Sequence, residues 1–157
     1  MASAKLAFNL ENTKDQFQQA TAQTKLLVLH YLAKQLHRAS TTAAPSAFFS
    51  QKVQGLLKQV QQLPREDRYE ALQEVLAGVP TRLTEVYEEL DVNMRMAFWY
   101  RLMNSRRGDL RLSRASSLEV SASQNSLLSD LASRDSNELV SFLREAVSLK
   151  PVAYSYQ

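Results

Sequence analysis

The sequence predicts an all-α fold, and two observations carry that prediction. The 157 residues contain only three glycines and four prolines, so long stretches lack the turn residues that a β-sandwich or β-barrel needs. Between these breaks, apolar residues recur at roughly three- or four-residue intervals, which is the spacing of one face of a helix. A chain of this length can bury a sizeable core, so we expect one domain.

The first three predicted helices occupy the amino-terminal part of the chain. After a short N-terminal arm, an amphipathic segment is expected at about 12–20, followed by a helix over 21–40. The apolar face of the second helix is formed by Leu26, Leu29, Ala33 and Leu36. Its basic residues Lys25, Lys34 and Arg38 lie elsewhere. Pro45 disfavours helical backbone before it, so the third helix is expected from about Ser46 to Gln61.

Local signals for helix ends place the next three helices. Pro64 and the two acids behind it begin a helix, which Gly78 ends as a left-handed cap. A short helix follows from about Pro80. Asp91 is positioned to cap the next helix, which runs to about Asn104.

Two more helices are predicted near the carboxyl end, at 121–132 and 135–149. Asp135 stands three residues before Glu138, which is the spacing of a capping box. Residues 150–157 are expected to form a tail.

Composition argues against several classes of protein. Cysteine is absent, so neither a disulfide nor a thiolate metal site can form, and this suits a reducing cytoplasm. No stretch approaches the roughly 18 apolar residues of a membrane span, and no secretory signal is evident. A net charge of +3 is too small to indicate nucleic acid. We therefore expect a cytoplasmic protein that neither spans a membrane nor binds nucleic acid.

Motifs for catalysis or metal binding are not evident in the sequence. His30 and His37 stand seven residues apart, whereas zinc ligands on a helix prefer one-turn spacing and need a third partner. We interpret both as ordinary histidines on or beside a core face. No glycine loop for phosphate and no nucleophile elbow around a serine occurs. A non-enzymatic function is therefore expected.

The segment “NMRMAFWYRLMN” at 93–104 concentrates Phe98, Trp99 and Tyr100 among three methionines. Adjacent helical residues point in different directions, so these rings cannot all serve one core face. Two interpretations stay open. The helix is buried on all sides in a bundle, or it lines a tunnel for a flat conjugated ligand, since aromatic rings stack and methionine fills gaps.

The chain resembles the family of the orange carotenoid protein N-terminal domain and the stand-alone helical carotenoid proteins of cyanobacteria. The similarity rests on “TTAAPSAF”, “MAFWYRLM” and “VSASQNSLLSDLASRDSNELVSFLREAV”, whose mutual spacing matches the family without gaps. It implies one domain over 1–157, built from two interleaved four-helix bundles. It further implies a ketocarotenoid between the bundles and a role in dissipating light energy taken up by the phycobilisome. The location would be the cytoplasm, or the thylakoid surface through a protein partner.

The resemblance also implies individual site residues. Trp99 and Tyr100 correspond to a Trp–Tyr pair beside the carotenoid, and Leu26 to a leucine of the tunnel. Met96 belongs to the same expected site. Arg144 corresponds to an arginine that contacts the regulatory C-terminal domain or, once released, the antenna.

Several positions depart from the family pattern. His30, Ala33 and Leu90 stand where the family carries aromatic rings against the carotenoid, and Arg114 stands where it has an apolar residue of the tunnel wall. Stacked rings contribute about 0.5–1.5 kcal/mol each beyond their buried area. Two functions therefore remain: a carotenoid-binding photoprotective protein with an altered pocket, or a pigment-free module that docks on a phycobilisome or photosystem. Self-association is open under both.

Arginines are concentrated in the predicted loop 105–117. They are Arg106, Arg107, Arg111 and Arg114. A hydrated loop is one interpretation. The other is a docking patch for an acidic partner, because arginine pairs with carboxylates in a bidentate manner.

Reversal of Arg107 and Arg111 to glutamate tests the docking patch. We expect the double variant to co-sediment less with isolated antenna or photosystem complexes. Binding of the parent protein should weaken steeply as salt rises, because exposed charges are screened over about 8 Å at physiological ionic strength. Unchanged co-sedimentation of a folded double variant at low and high salt would falsify this role.

Overall fold

The computed structural model describes residues 2–39, 50–104 and 122–148, and side chains within 11–36, 50–104 and 126–148. These residues form eight α-helices and no β-strand, which confirms the predicted all-α class. The helices are α1 (Ala2–Gln19), α2 (Ala22–Ala39), α3 (Gln51–Gln62), α4 (Arg65–Ala77), α5 (Arg82–Glu88), α6 (Val92–Asn104), α7 (Ala122–Ala132) and α8 (Ser136–Ser148).

Two groups of helices pack around a central pair, α2 and α6, which make the most extensive helix–helix contact. One group contains α1, α7 and α8, and all three pack against α2. The other contains α3, α4 and α5, which contact one another. Each central helix also crosses to the other group, because α2 packs against α4, and α6 packs against both α3 and α8. This arrangement agrees with the expected pair of interleaved four-helix bundles.

Most helix ends lie where local signals predict them. Gly78 ends α4 with a left-handed backbone, at φ 77°. At the start of α6, Asp91 Oδ1 accepts a hydrogen bond from the Met94 N–H at 2.9 Å. Asp135 and Glu138 form the predicted capping box, with backbone N–H to carboxylate distances of 2.8 and 3.3 Å. These ends depend on residues only a few positions apart, so the sequence reveals them.

Three predicted helix starts are wrong. Helix α1 begins at Ala2 rather than near residue 12, and residues 2–11 contain no glycine or proline that would interrupt it. Helix α3 does not begin at Ser46, because Ser50 has extended backbone and its hydroxyl accepts a hydrogen bond from the Lys52 N–H at 3.2 Å. Pro64 occupies the N-cap position of α4 rather than its first turn. The predicted loop 105–117 and the tail 150–157 lie outside the described residues.

The burial of Lys25 also differs from expectation. Lys34 is exposed, but the side chain of Lys25 is only 8% exposed. Lys25 lies one turn before Leu29, so its stem shares the buried side of α2 and its ammonium group lies 5.9 Å from the centroid of the Phe17 ring. Phe17 in turn meets Phe142 of α8 edge-to-face, at 5.7 Å between centroids. The side chain of Lys25 therefore forms part of the contact between α1 and α2.

None of the described helices is both long enough and apolar enough to cross a membrane.

Candidate functional site

Four consecutive residues of α6 are buried side chains of the core. Met96, Ala97, Phe98 and Trp99 are each at most 1% exposed. Consecutive helical positions point to different sides, so α6 is covered all round at this level. The predicted burial of Trp99 is confirmed.

A hydrogen bond from Trp99 to Tyr87 connects α6 to the short helix α5. Trp99 Nε1–H donates to Tyr87 Oη at 2.8 Å, and Tyr87 is only 7% exposed. The rings of Tyr87, Phe98 and Trp99 meet edge-to-face, with centroids 5.0 to 6.0 Å apart. A buried indole N–H needs an acceptor, and Tyr87 supplies one from twelve residues earlier in the chain.

Arg95 places a positive charge beside the ring of Tyr87. Its guanidinium carbon lies 5.0 Å from the centroid of the Tyr87 ring. The group donates to the backbone oxygen of Val147 at 2.9 Å and to that of Glu88 at 3.0 Å, so it ties α6 to α8 and α5. Burial raises the pKa of Tyr87 to about 12, although the Trp99 hydrogen bond and the charge of Arg95 both oppose the rise.

Five of the seven residues expected at the pigment site belong to one continuous apolar core. They are Leu26, Ala33, Leu90, Met96 and Trp99, at 0 to 3% exposure. Leu26 and Ala33 lie on α2, Met96 and Trp99 on α6, and these helices pack together. The side-chain amide of Asn104 reinforces the contact by donating to the backbone oxygens of Ala33 at 3.1 Å and of Tyr100 at 3.0 Å.

The remaining two expected residues, His30 and Tyr100, are half-buried on α2 and α6. Burial, and then the nearby charge of Lys34, lowers the pKa of His30, so the imidazole is neutral near pH 7. This agrees with an ordinary histidine beside a core face. No group of three or more metal-ligating side chains occurs in the part of the chain that the structure describes.

The contact between α2 and α6 is chemically suited to an apolar conjugated ligand, because it combines an indole ring, a thioether and aliphatic side chains. The contact is also closed. Leu26, Met96 and Trp99 are almost completely covered by protein atoms, so no water-sized space remains beside them. A ligand can occupy this level of the fold only if side chains or helices move apart.

Arg144 is exposed on α8, and its Nη1 donates to Asn93 Oδ1 on α6 at 3.3 Å. The other four arginines expected to bind a partner, Arg106, Arg107, Arg111 and Arg114, lie outside the described residues.

The sequence profile described as “Orange carotenoid protein, N-terminal” matches residues 3–150, which is nearly the whole chain. The chain belongs to this family.

Curated relatives of the orange carotenoid protein N-terminal family have modest sequence identity to this member. An orange carotenoid-binding domain-containing protein of Nostoc sp. PCC 7120 is 26% identical over 132 residues, which cover 84% of this chain and 77% of that protein. The orange carotenoid-binding protein of Synechocystis sp. is 24% identical over 131 residues. In that case the match covers 83% of this chain but only 41% of the longer relative.

A solved structure supports the same fold. It is the orange carotenoid protein of Anabaena (Nostoc) sp. PCC 7120 binding canthaxanthin, with a TM-score of 0.74 at 23% identity. The match covers 88% of this chain and 45% of that one. This family member therefore has the helical fold expected from the resemblance.

Neither Tyr87 nor Arg95 stands out in the sequence. One signal was available for Tyr87, because a lone buried tryptophan predicts an acceptor for its N–H. Too many side chains could serve, and only the packing of α5 on α6 selects this one. Arg95 looked like an ordinary polar position of an amphipathic helix, and its acceptors are backbone oxygens that have no residue signature.

Replacement of Trp99 by alanine should destabilise the protein by about 3–5 kcal/mol, because it removes the largest fully buried side chain and leaves a cavity. Chemical denaturation followed by circular dichroism measures the change. A Trp99→Ala protein with the parent's free energy of unfolding would contradict the placement of this ring in the core.

Replacement of Tyr87 by phenylalanine should cost about 1–3 kcal/mol at neutral pH, because the Trp99 N–H loses its acceptor while staying buried. Tyr69→Phe, at a half-buried tyrosine on α4, is the matched control and should cost little.

The stability of the parent protein and that of the Tyr87→Phe variant should also depend differently on pH in the alkaline range. Tyr87 resists ionisation in the folded state, so its contribution is fully present below about pH 10, the unfolded value, and is lost as pH rises towards about 12. Parent stability should therefore fall through this window more steeply than that of Tyr87→Phe. The lowered pKa of Lys25 acts in the opposite direction but equally in both proteins. Parallel pH profiles would contradict the burial of this hydroxyl.

Proposed function

We propose that this chain is a non-enzymatic carotenoid-binding protein of the photosynthetic antenna, with a photoprotective role. The observation that carries the proposal is the contact of α2 with α6, two helices that contribute Leu26, Met96 and Trp99 to one apolar core. The chain matches the orange carotenoid protein N-terminal family over residues 3–150. The pigment would be a ketocarotenoid. It would supply the absorption of visible light and the conversion of that energy to heat.

The residues present fit an apolar polyene in chemistry. Trp99 offers an aromatic face and Met96 an adaptable thioether, while Leu26 adds aliphatic surface. His30 is neutral near pH 7, so it brings no charge to such a ligand. Tyr100 is half-buried beside the same contact and can cover the edge of a bound chain.

Two features weaken retention of the pigment relative to typical family members. The first is the closed packing of Leu26, Met96 and Trp99, because the protein must give up some of these contacts to admit a ligand. The second is the replacement of three family rings by His30, Ala33 and Leu90, each worth about 0.5–1.5 kcal/mol beyond its area. Binding is therefore expected to be weaker and coupled to movement of α2 against α6.

The partner would be an acidic surface of the phycobilisome or of a photosystem. Arg144 supports this proposal because it is exposed and its guanidinium keeps donors free beyond its hydrogen bond to Asn93. Arg106, Arg107, Arg111 and Arg114 would be further contacts with this partner, on the same face as Arg144 or on a second one. The protein would then reach the thylakoid surface through its partner rather than through a membrane span.

Production of the protein in a host that makes ketocarotenoids tests pigment binding. We expect a vibronically structured visible absorption band that co-elutes with the protein, at less than one pigment per chain. The triple variant His30→Trp, Ala33→Tyr, Leu90→Trp should retain more pigment. Without pigment it should be less stable than the parent, since the closed core has no room for larger rings and overpacking costs about 1–3 kcal/mol.

Trp99→Phe is the converse control, because it removes a large ring while keeping an aromatic side chain, and it should lower retention. If the parent already binds pigment stoichiometrically and the triple variant binds no better, the argument from lost rings is wrong. If a folded parent carries no visible band at all, pigment binding is excluded and the pigment-free docking module becomes the function.

A further inference from the structure

A cavity of about 510 Å³ lies between the two groups of helices. Its apolar wall includes Phe17 of α1, Val75 of α4 and Val147 of α8. Lys25 of α2 and Arg95 of α6 also line it, so the cavity borders both helices of the central pair. Its size is within the range of about 300–1,000 Å³ that small-molecule sites span, so it can hold the terminal ring of a larger ligand.

The cavity lies at one end of the contact between α2 and α6. The other end is marked by the hydrogen bond from the side-chain amide of Asn104 to the backbone oxygen of Ala33. Lys25 precedes Ala33 by eight residues, and Arg95 precedes Asn104 by nine, so both cavity residues lie more than two helical turns from that bond. An elongated ligand that followed this contact would therefore place one of its ends in the cavity.

Lys25 is a buried hydrogen-bond donor in the wall of this cavity. Its side chain is only 8% exposed, and its ammonium group has no hydrogen-bond or ion-pair partner among the described residues. The ammonium nitrogen is not closed to a water-sized molecule, whereas the Nε of Arg95 is closed. Burial lowers the pKa of Lys25, which reflects the cost of keeping this charge away from water. An acceptor that entered the cavity would offset part of that cost.

Arg95 is not available in the same way. Its guanidinium group is already held by the backbone oxygens of Val147 and Glu88. The side chain of Glu88 is exposed and forms no ion pair with Lys25, although it belongs to the same lining. Lys25 is therefore the donor of this cavity that a ligand oxygen can reach and that has no acceptor among the described residues.

We propose that Lys25 selects the keto group of the pigment, with its ammonium donating a hydrogen bond to the keto oxygen of a terminal ring held in this cavity. The inference rests on the proposed function and adds the residue that favours a ketocarotenoid over a hydrocarbon carotene. A ketone oxygen is a neutral acceptor, so Lys25 can keep its proton and its charge. An unsubstituted hydrocarbon ring would fill the same space and leave the ammonium buried without an acceptor.

Competition between two pigments tests this selection. Apoprotein from a host that makes no carotenoids is mixed with equal amounts of canthaxanthin and β-carotene in detergent micelles. The two pigments have the same polyene, and canthaxanthin adds a keto group to each ring. The bound pigments are then extracted from the repurified protein and quantified by chromatography. We expect the parent protein to prefer canthaxanthin by at least about tenfold, because a hydrogen bond from a charged donor contributes that much in affinity.

Lys25→Met removes the charge and keeps an unbranched side chain. It should bind canthaxanthin more weakly and β-carotene more strongly, so that the preference falls about 10- to 100-fold. Lys25→Gln, which keeps a neutral donor, should show an intermediate preference. Lys58→Met, at an exposed lysine of α3, is the matched control and should keep the preference of the parent.

Resonance Raman spectroscopy of bound canthaxanthin provides a second measurement, which a purely structural role of Lys25 would not change. The carbonyl stretching frequency should be lower in the parent than in Lys25→Met, because a hydrogen bond weakens the C=O bond. Equal uptake of both pigments by the parent would overturn the role of Lys25 and leave the proposed function standing. An unchanged preference or carbonyl frequency in folded Lys25→Met would do the same. Uptake of neither pigment would overturn both proposals.

Discussion

Four consecutive residues of α6, from Met96 to Trp99, are buried, so this helix must be covered on all sides. Helices α2, α3 and α8 provide most of that cover. The short helix α5 provides the rest, because the indole N–H of Trp99 would be buried without an acceptor if Tyr87 were not beside it. The position of this seven-residue helix, too short to be stable alone, depends on that hydrogen bond and its ring contacts together with its packing against α3 and α4.

The same requirement explains why the expected pigment site is closed. A ring at position 99 can be covered by a ligand or by protein, and here protein atoms leave it 1% exposed. Ala33 and Leu90 are small enough to be packed tightly in the same core. Open space is found instead toward α1 and α4, in a cavity of about 510 Å³ whose lining includes Lys25 and Arg95.

The expectations from sequence succeeded where they rested on a local capping signal and failed where they rested on apolar spacing or charge alone. The caps formed by Gly78, Asp91 and Asp135 were predicted because each one satisfies backbone groups within a few residues. The predicted start of α3 was wrong because Phe49 continues the apolar spacing of the helix. Apolar spacing does not reveal that the backbone becomes extended at Ser50. Lys25 was placed away from the apolar face because a charge usually marks the solvent side. Its stem is nevertheless long enough to lie in the core.

The sequence by itself determined the helical class, most helix ends and the family. All of these depend on neighbours within about one or two helical turns, or on a motif that can be read directly. Only the tertiary structure decided which acceptor Trp99 uses, which backbone oxygens Arg95 binds and where the open cavity lies. The contacts of Trp99 with Tyr87 and of Arg95 with Val147 join residues 12 and 52 positions apart, and for each of them many partners in the chain are chemically equivalent. The choice among them follows from how whole helices pack, because a buried donor accepts whichever acceptor the packed core brings within reach.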